Sequence, residues 1–181
     1  MRMRVLLLGK TSLLGQALVA QAALEDIEFL LVEEPPGSWE PAQVAGWLDA
    51  LQPDAVLDLS FYHQQFQVLD PTPEGLAAER VFARELVTLC AGRDLLLYRL
   101  SSTRVFDGVK EQPYTEKDPL TPIGAHGALQ AELDQLLQGQ CRRHLLLRFS
   151  WVLDSSPEGM LQRLVSQLLA GDSVSLAGEW R

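Results

Sequence analysis

Short runs that are apolar at every position alternate along this chain with longer stretches in which apolar residues recur every three or four positions. The first run, Val5 to Leu8, stops at Gly9, and Leu13, Leu14, Ala17, Leu18 and Ala22 then follow at helical spacing. A strand, a glycine turn and a helix are predicted. Phe29 to Val32 is a second strand, closed by Glu33, Glu34 and the breakers Pro35, Pro36 and Gly37. Pro41 suits a first helical turn and opens a helix carrying Val44, Trp47, Leu48 and Leu51 on one side. Pro53-Asp54 leads into a third strand, Ala55 to Leu59. From Pro73 to Gly92 the spacing of Ala78, Phe82, Leu86 and Leu89 predicts a helix, with Gly92 as its stop, and Leu95 to Leu100 forms a fourth strand. Thr103 to Ile123, with three prolines, reads as a long loop of the kind that carries function. A helix over Ala125 to Leu137, a strand over Leu145 to Val152, a helix over Met160 to Leu169 and a short strand over Val174 to Leu176 complete the pattern.

Strands that are apolar along their whole length must be covered on both faces, and their alternation with helices predicts a parallel sheet between two helical layers. The expected fold is a doubly wound α/β sheet of the Rossmann type, forming one domain over residues 1–181. Ligands of such folds bind outside the carboxyl ends of the strands, here near Gly9, Glu33, Ser60 and Ser101.

The first of these positions opens the turn Gly9-Lys10-Thr11-Ser12-Leu13-Leu14-Gly15, where backbone N–H groups and a helix dipole would face a pyrophosphate. Ser12 stands where a middle glycine would let a phosphate approach, so dinucleotide binding is expected to be weakened or lost. Glu33 lies 24 residues after Gly9 at the end of the second strand, the place of an acid that accepts a ribose 2′-hydroxyl and repels a 2′-phosphate. That favours NAD over NADP. Solvated turn residues are the equal alternative for Glu33 and Glu34.

Charge narrows the partners. The chain has 24 acidic and 15 basic residues and a formal charge of −9, whereas a nucleic-acid binder needs clustered cations, so nucleic acid is not an expected partner. Val5 to Leu8 is too short for a membrane span or a signal core, and no membrane association is expected. Cys90 and Cys141, far apart and without ligand-spaced neighbours, suit buried thiols in a reducing, cytoplasmic setting. His63 and His144 have no ligand-spaced partners, and no metal site is expected. Trp39, Trp47, Trp151 and Trp180 sit in or beside apolar runs and read as packing residues.

The run Ser101-Ser102-Thr103-Arg104-Val105-Phe106-Asp107-Gly108, followed by Pro113-Tyr114-Thr115-Glu116-Lys117-Asp118-Pro119-Leu120-Thr121-Pro122, resembles the dTDP-4-dehydrorhamnose reductase family of extended short-chain dehydrogenases. The glycine turn, Gln52-Pro53-Asp54 and Arg148-Phe149-Ser150-Trp151-Val152 match that family in the same order. The resemblance implies an NAD(P)-binding domain that reduces a 4-keto sugar nucleotide, with much of the substrate lobe lying beyond these residues. It also implies a Ser or Thr after the fourth strand, here Ser102, and a Tyr followed four residues later by a Lys. Those two positions are His126 and Gln130. The Tyr donates a proton as hydride arrives, and the Lys charge lowers a phenol pKa of about 10 toward neutrality. Gln130 has no charge with which to do so.

Asp58-Leu59-Ser60 occupies a stretch where the family has Asn-Ala-Ala, Glu79 stands where its helix has an Asn, and an adenine-side acid near Gly37-Ser38 is missing. The expectation is a non-catalytic, regulatory member that binds a nucleotide, a sugar nucleotide or a partner protein. The alternative is an active reductase using His126 as its acid. His126 is otherwise expected at a helix start, partly exposed. The helices over 74–92 and 125–137, with Leu and Ala on more than one face, suggest self-association.

Overall fold

A computed structural model describes residues 2–21, 26–35, 39–62, 71–150, 152 and 160–173. Five strands, β1 (Met3–Leu8), β2 (Ile27–Leu31), β3 (Ala55–Asp58), β4 (Leu96–Ser102) and β5 (His144–Phe149), form one sheet in the order β2-β1-β3-β4-β5. Every pairing is parallel. The helices are α1 (Leu13–Gln21), α2 (Pro41–Leu51), α3 (Pro73–Gly92), α4 (Gly124–Gln140) and α5 (Met160–Leu169), with a 3₁₀ turn at Thr103–Val105. The doubly wound Rossmann-type arrangement expected from the sequence is present.

Strand residues divide between two cores by their alternation. Leu6, Leu8, Val56 and Leu97 bury against Val44 and Leu48 of α2, Phe82 and Leu86 of α3 and Leu137 of α4. Leu7 and Leu100 lie on the opposite face with Leu13, Leu14 and Leu18 of α1. The second apolar face of α3 and α4 has a simple cause: Leu76 and Ala83 pack on Leu129 and Leu133, so each helix serves the sheet on one side and its neighbour on another. Trp39 packs edge-on to Trp47 and against Phe82, with centroids 6.5 and 5.9 Å apart, as packing residues should.

Several element ends differ from expectation. β4 runs on through Ser101 and Ser102 because both pair with β5, opposite Arg148 and Phe149. β5 ends at Phe149, three residues short of Val152, and α4 extends to Gln140. β2 begins at Ile27, where Met3 is its parallel partner on β1. Ala22, Gly37-Ser38, His63, Trp151, Trp180 and the expected strand over Val174 to Leu176 lie outside the described residues.

The expected loop at 103–123 is an ordered knot. Thr121 N donates to Val105 O at 2.9 Å and Ile123 N to Arg104 O at 3.0 Å. Tyr114 stacks on Phe106 at 4.4 Å, its hydroxyl donates to Asp107 at 2.6 Å, and Lys110 holds Asp118 at 2.8 Å. These bonds fix the entry to α4.

Candidate functional site

The order of the sheet reverses at β1, whose neighbours β2 and β3 run off to either side, and the crevice at such a switch point is where doubly wound folds bind ligands. Gly9 follows β1 with φ +89°, and a Cβ there would lie 2.3 Å from the Leu59 carbonyl oxygen. A Cβ on Gly15 would lie 2.3 Å from the Gly9 carbonyl oxygen. Both glycines are therefore required for the turn itself: the first by its backbone angle and its closeness to β3, the second by the closeness of helix to turn.

Ser12 has a structural task. Its Oγ accepts from Gly15 N at 3.0 Å and donates to Gly9 O at 2.6 Å, so it caps α1 and closes the turn on itself. Lys10 is partly exposed beside it, and Leu13 and Leu14 turn their side chains into the core under α1. The first-turn amides of a helix lack intrahelical partners and face a ligand at this point in the fold.

Of the two acids after β2, Glu34 reaches the turn. Its carboxylate accepts from Thr11 N at 2.8 Å and from the Thr11 hydroxyl, while Glu33 is exposed. The register explains this: Val32 is buried, so Glu33 faces solvent and Glu34 turns back toward the glycine loop. A carboxylate thus already holds one backbone donor of the turn. Ser60 is near by sequence and geometry, since the preceding Leu59 abuts Gly9, but its hydroxyl and N–H both donate to Asp58 and its carbonyl accepts from Trp39 Nε1 at 3.2 Å.

The second group of candidates lies at the end of β4 and on α4. Ser102 ends the strand and its Oγ accepts from Arg104 N at 3.1 Å, capping the 3₁₀ turn. His126, expected to be partly exposed, is 3% exposed. Its helix is drawn inward because Gly127, where a Cβ would lie 2.3 Å from Arg104 O, packs directly on the backbone of the 3₁₀ turn. Among the described residues no hydrogen bond joins Ser102 to His126.

His126 and Gln130 instead belong to a buried polar network beneath the sheet. Arg99 points from β4 into the helical layer, where Nη1 donates to Gln130 Oε1 and to Leu100 O, both at 3.1 Å, and Nη2 donates to Glu79 Oε1 at 3.1 Å. Gln130 Nε2 donates to Glu79 Oε1 at 2.8 Å and lies 3.3 Å from His126 Nε2. One turn further along α4, Asp134 accepts from Ser101 Oγ at 2.9 Å and from Arg148 Nη2 at 3.0 Å. Two cations, Arg99 and Arg148, thus face two carboxylates, Glu79 and Asp134. Such pairing is what lets charge lie in a core at all.

Burial acts on the titrating members. It pushes the His126 imidazole down from its usual value to about 4, helped by the charges of Arg104 and Arg99. It pushes the Asp134 carboxyl upward, against the Ser101 hydrogen bond and the charges of Arg99 and Arg148. At neutral pH His126 therefore carries no extra proton to give.

Much of this network is not evident from a motif. Arg99 and Asp134 belong to no recognised motif, although a charge inside the apolar run Leu95 to Leu100 signals a buried partner. Glu79 sits on the inward stripe of Leu76, Ala83 and Leu86, and His126, Gln130 and Asp134 follow one another at four-residue spacing among Leu129, Leu133 and Leu137.

Comparison with known proteins now bears on this geometry. The family model described as RmlD substrate binding domain matches residues 3–179. The chain belongs to this family. Within it, a dTDP-4-dehydrorhamnose reductase of Sinorhizobium fredii is 26% identical over 178 residues, covering 98% of this chain and 60% of its own length. This chain therefore spans about 60% of that relative's length. Among solved structures, a dTDP-4-dehydrorhamnose reductase of Bacillus anthracis in complex with NADP matches with TM-score 0.75 at 16% identity, over 92% of this chain and 60% of that one. The Bordetella bronchiseptica enzyme WbmG in complex with NAD and UDP matches with TM-score 0.75 at 16% identity, over 96% and 62%. At such identity these structures show the fold of this RmlD-type domain. Within the described residues no helix is long and apolar enough to cross a membrane, and no cluster of His, Cys, Asp or Glu could hold a metal ion.

Proposed function

We propose that this RmlD-type domain binds a nicotinamide dinucleotide or a sugar nucleotide without reducing it, and acts as a regulatory or scaffolding protein in a cytoplasmic setting. One observation carries the reading: the positions where its family resemblance places a Tyr and a Lys hold His126 and Gln130, both sealed in the Arg99–Glu79 network. A reductase of this kind needs a donor whose pKa is lowered by an adjacent ammonium. Here the adjacent group is a neutral amide, and the imidazole is unprotonated at neutral pH. The buried cation, Arg99, directs its two Nη groups to Glu79, Gln130 and a backbone carbonyl.

Support for nucleotide binding comes from the glycine turn, which keeps the backbone conformation and close approaches of a dinucleotide site, and from relatives whose structures hold NADP, NAD and UDP. NAD is favoured over NADP because two carboxylates, Glu33 and Glu34, follow β2 where a 2′-phosphate would lie. Partner-protein binding or self-association belongs to the same reading. Light scattering at high concentration tests the latter, and a monomer mass would remove it.

Calorimetric titration of the pure protein with NADH and NADPH, paired with an assay of 4-keto sugar-nucleotide reduction, tests the proposal. Heat with NADH and no turnover is the expected result. Cofactor-dependent reduction would overturn it and favour the alternative with His126 as acid, which His126→Ala must then abolish.

A further inference from the structure

The Gln130 side chain lies between two charged groups of opposite sign, and that fixes which way round its amide sits. Arg99 Nη1 can only donate, so the atom facing it at 3.1 Å is Oε1; the Glu79 carboxylate accepts, so the atom facing it at 2.8 Å is Nε2. Flipping the amide would set nitrogen against guanidinium nitrogen and oxygen against carboxylate, two repulsions in a region excluded from water. With one Nε2 hydrogen spent on Glu79, the other faces His126 Nε2 at 3.3 Å. A ring nitrogen that receives a hydrogen must be the unprotonated one.

We infer that Gln130 is a positioning residue that holds His126 as the neutral Nδ1–H tautomer, turning the family's proton-donor position into a fixed hydrogen-bond acceptor. The chain of polarity runs Arg99 to Gln130 to His126, from strand to helix. His126 Nδ1 has no hydrogen-bond partner among the described residues, so the tautomer is set from the Nε2 side alone. The charged groups that act on the ring are Arg104 on the 3₁₀ turn and Arg99 on β4, with Glu79 on α3 reached through Gln130. Both arginines named in the His126 environment oppose a second proton on the ring. Glu79, the carboxylate nearest the relay, is spoken for by Arg99 and Gln130.

This inference does not require the absence of catalysis. It fails on a spectroscopic result, whereas the non-catalytic reading fails on turnover. The test is the nitrogen-15 signature of the His126 ring in the whole protein, assigned by comparison with His126→Gln. The expected spectrum has a pyrrole-type Nδ1 and a pyridine-type Nε2, unchanged from pH 8 to pH 5.5. In Gln130→Met, which keeps the length and removes both amide hydrogens, the signature shifts to the Nε2–H form or to a mixture of the two. A pyridine-type Nδ1 in the unaltered protein, or two pyrrole-type nitrogens at pH 6, would overturn the assignment whatever Gln130→Met shows. So would a Gln130→Met spectrum identical to that of the parent in a folded protein.

Discussion

His126 carries the sharpest residue-scale consequence. Its ring takes a proton at about pH 4 in the folded protein and at about 6.5 in the unfolded chain, so between those values the unfolded state binds more protons. The His126 contribution to stability must then rise with pH from 4 to 6.5 and level off above. At about 1.4 kcal/mol per unit, the shift sets an upper bound of about 3.5 kcal/mol on the loss at the acid end. Urea unfolding at pH 7 and pH 4.5 should show a smaller difference for His126→Gln than for the parent. Equal differences would show that the ring titrates normally. Arg99 gives a second prediction. Arg99→Met leaves Glu79 buried without its cation, and breaking a buried pair from one side typically costs about 3–5 kcal/mol. Arg99→Met with Glu79→Leu should recover most of that loss in chemical denaturation. No recovery would mean that the guanidinium is needed for Gln130 and the Leu100 carbonyl more than for charge balance.

Among the elements, the glycines of α2 and α4 make opposite predictions from the same residue type. Gly127 lies in the first turn of α4 where a Cβ would come within 2.3 Å of Arg104 O, so Gly127→Ala must push α4 off the 3₁₀ turn. Overpacking of this kind costs about 1–3 kcal/mol. Gly46 in α2 has nothing within 4 Å, and Gly46→Ala should stabilise by about 0.5–1 kcal/mol through helix propensity alone. Melting temperatures that fall for both would show that Gly46 does not face open space on a regular helix. The elements were also the most legible part of the sequence, because apolar runs such as Val5 to Leu8 and the spacing of Phe82 and Leu86 follow from periodicity. The end of β4 was less so. Ser101 and Ser102 are poor strand formers locally, and it is their pairing with β5, a long-range contact, that extends the strand. The glycine turn could be placed from the sequence, but the choice of Glu34 over Glu33 depended on which residue after β2 is buried. The Arg99 network was hidden for a similar reason: its members come from three elements separated by 20 to 51 residues, and only the packing of α3 and α4 on the sheet joins them.

For the molecule as a whole, the two halves of the candidate site differ in kind. The nucleotide side, around Gly9, is a tight backbone turn, whereas the α4 side is a buried network in which His126, Gln130, Glu79 and Arg99 meet. On this reading affinity and chemistry are separable, and Glu34 is the residue that tests the affinity half. Its carboxylate is bound to the Thr11 amide and hydroxyl, at the turn where a pyrophosphate would bring two further negative charges. Like charges near a surface repel by an amount that falls with salt, and a tenfold change in affinity corresponds to about 1.4 kcal/mol. Glu34→Gln keeps the shape and removes the charge, so NADPH should bind about threefold to tenfold more tightly at low ionic strength and NADH by a smaller factor, with the gain shrinking in high salt. Glu33→Gln, at an exposed position, should change neither by more than about twofold, since surface charges act weakly. The ratio of the two cofactors separates the possible roles of Glu34. An equal gain places its effect on the shared pyrophosphate. A gain confined to NADPH places it on the 2′-phosphate, as the acid after the second strand of a dinucleotide fold would act. Weaker NADH binding in Glu34→Gln would show that the carboxylate accepts the ribose hydroxyls, and the turn would then be an intact NAD site with its acid shifted by one residue.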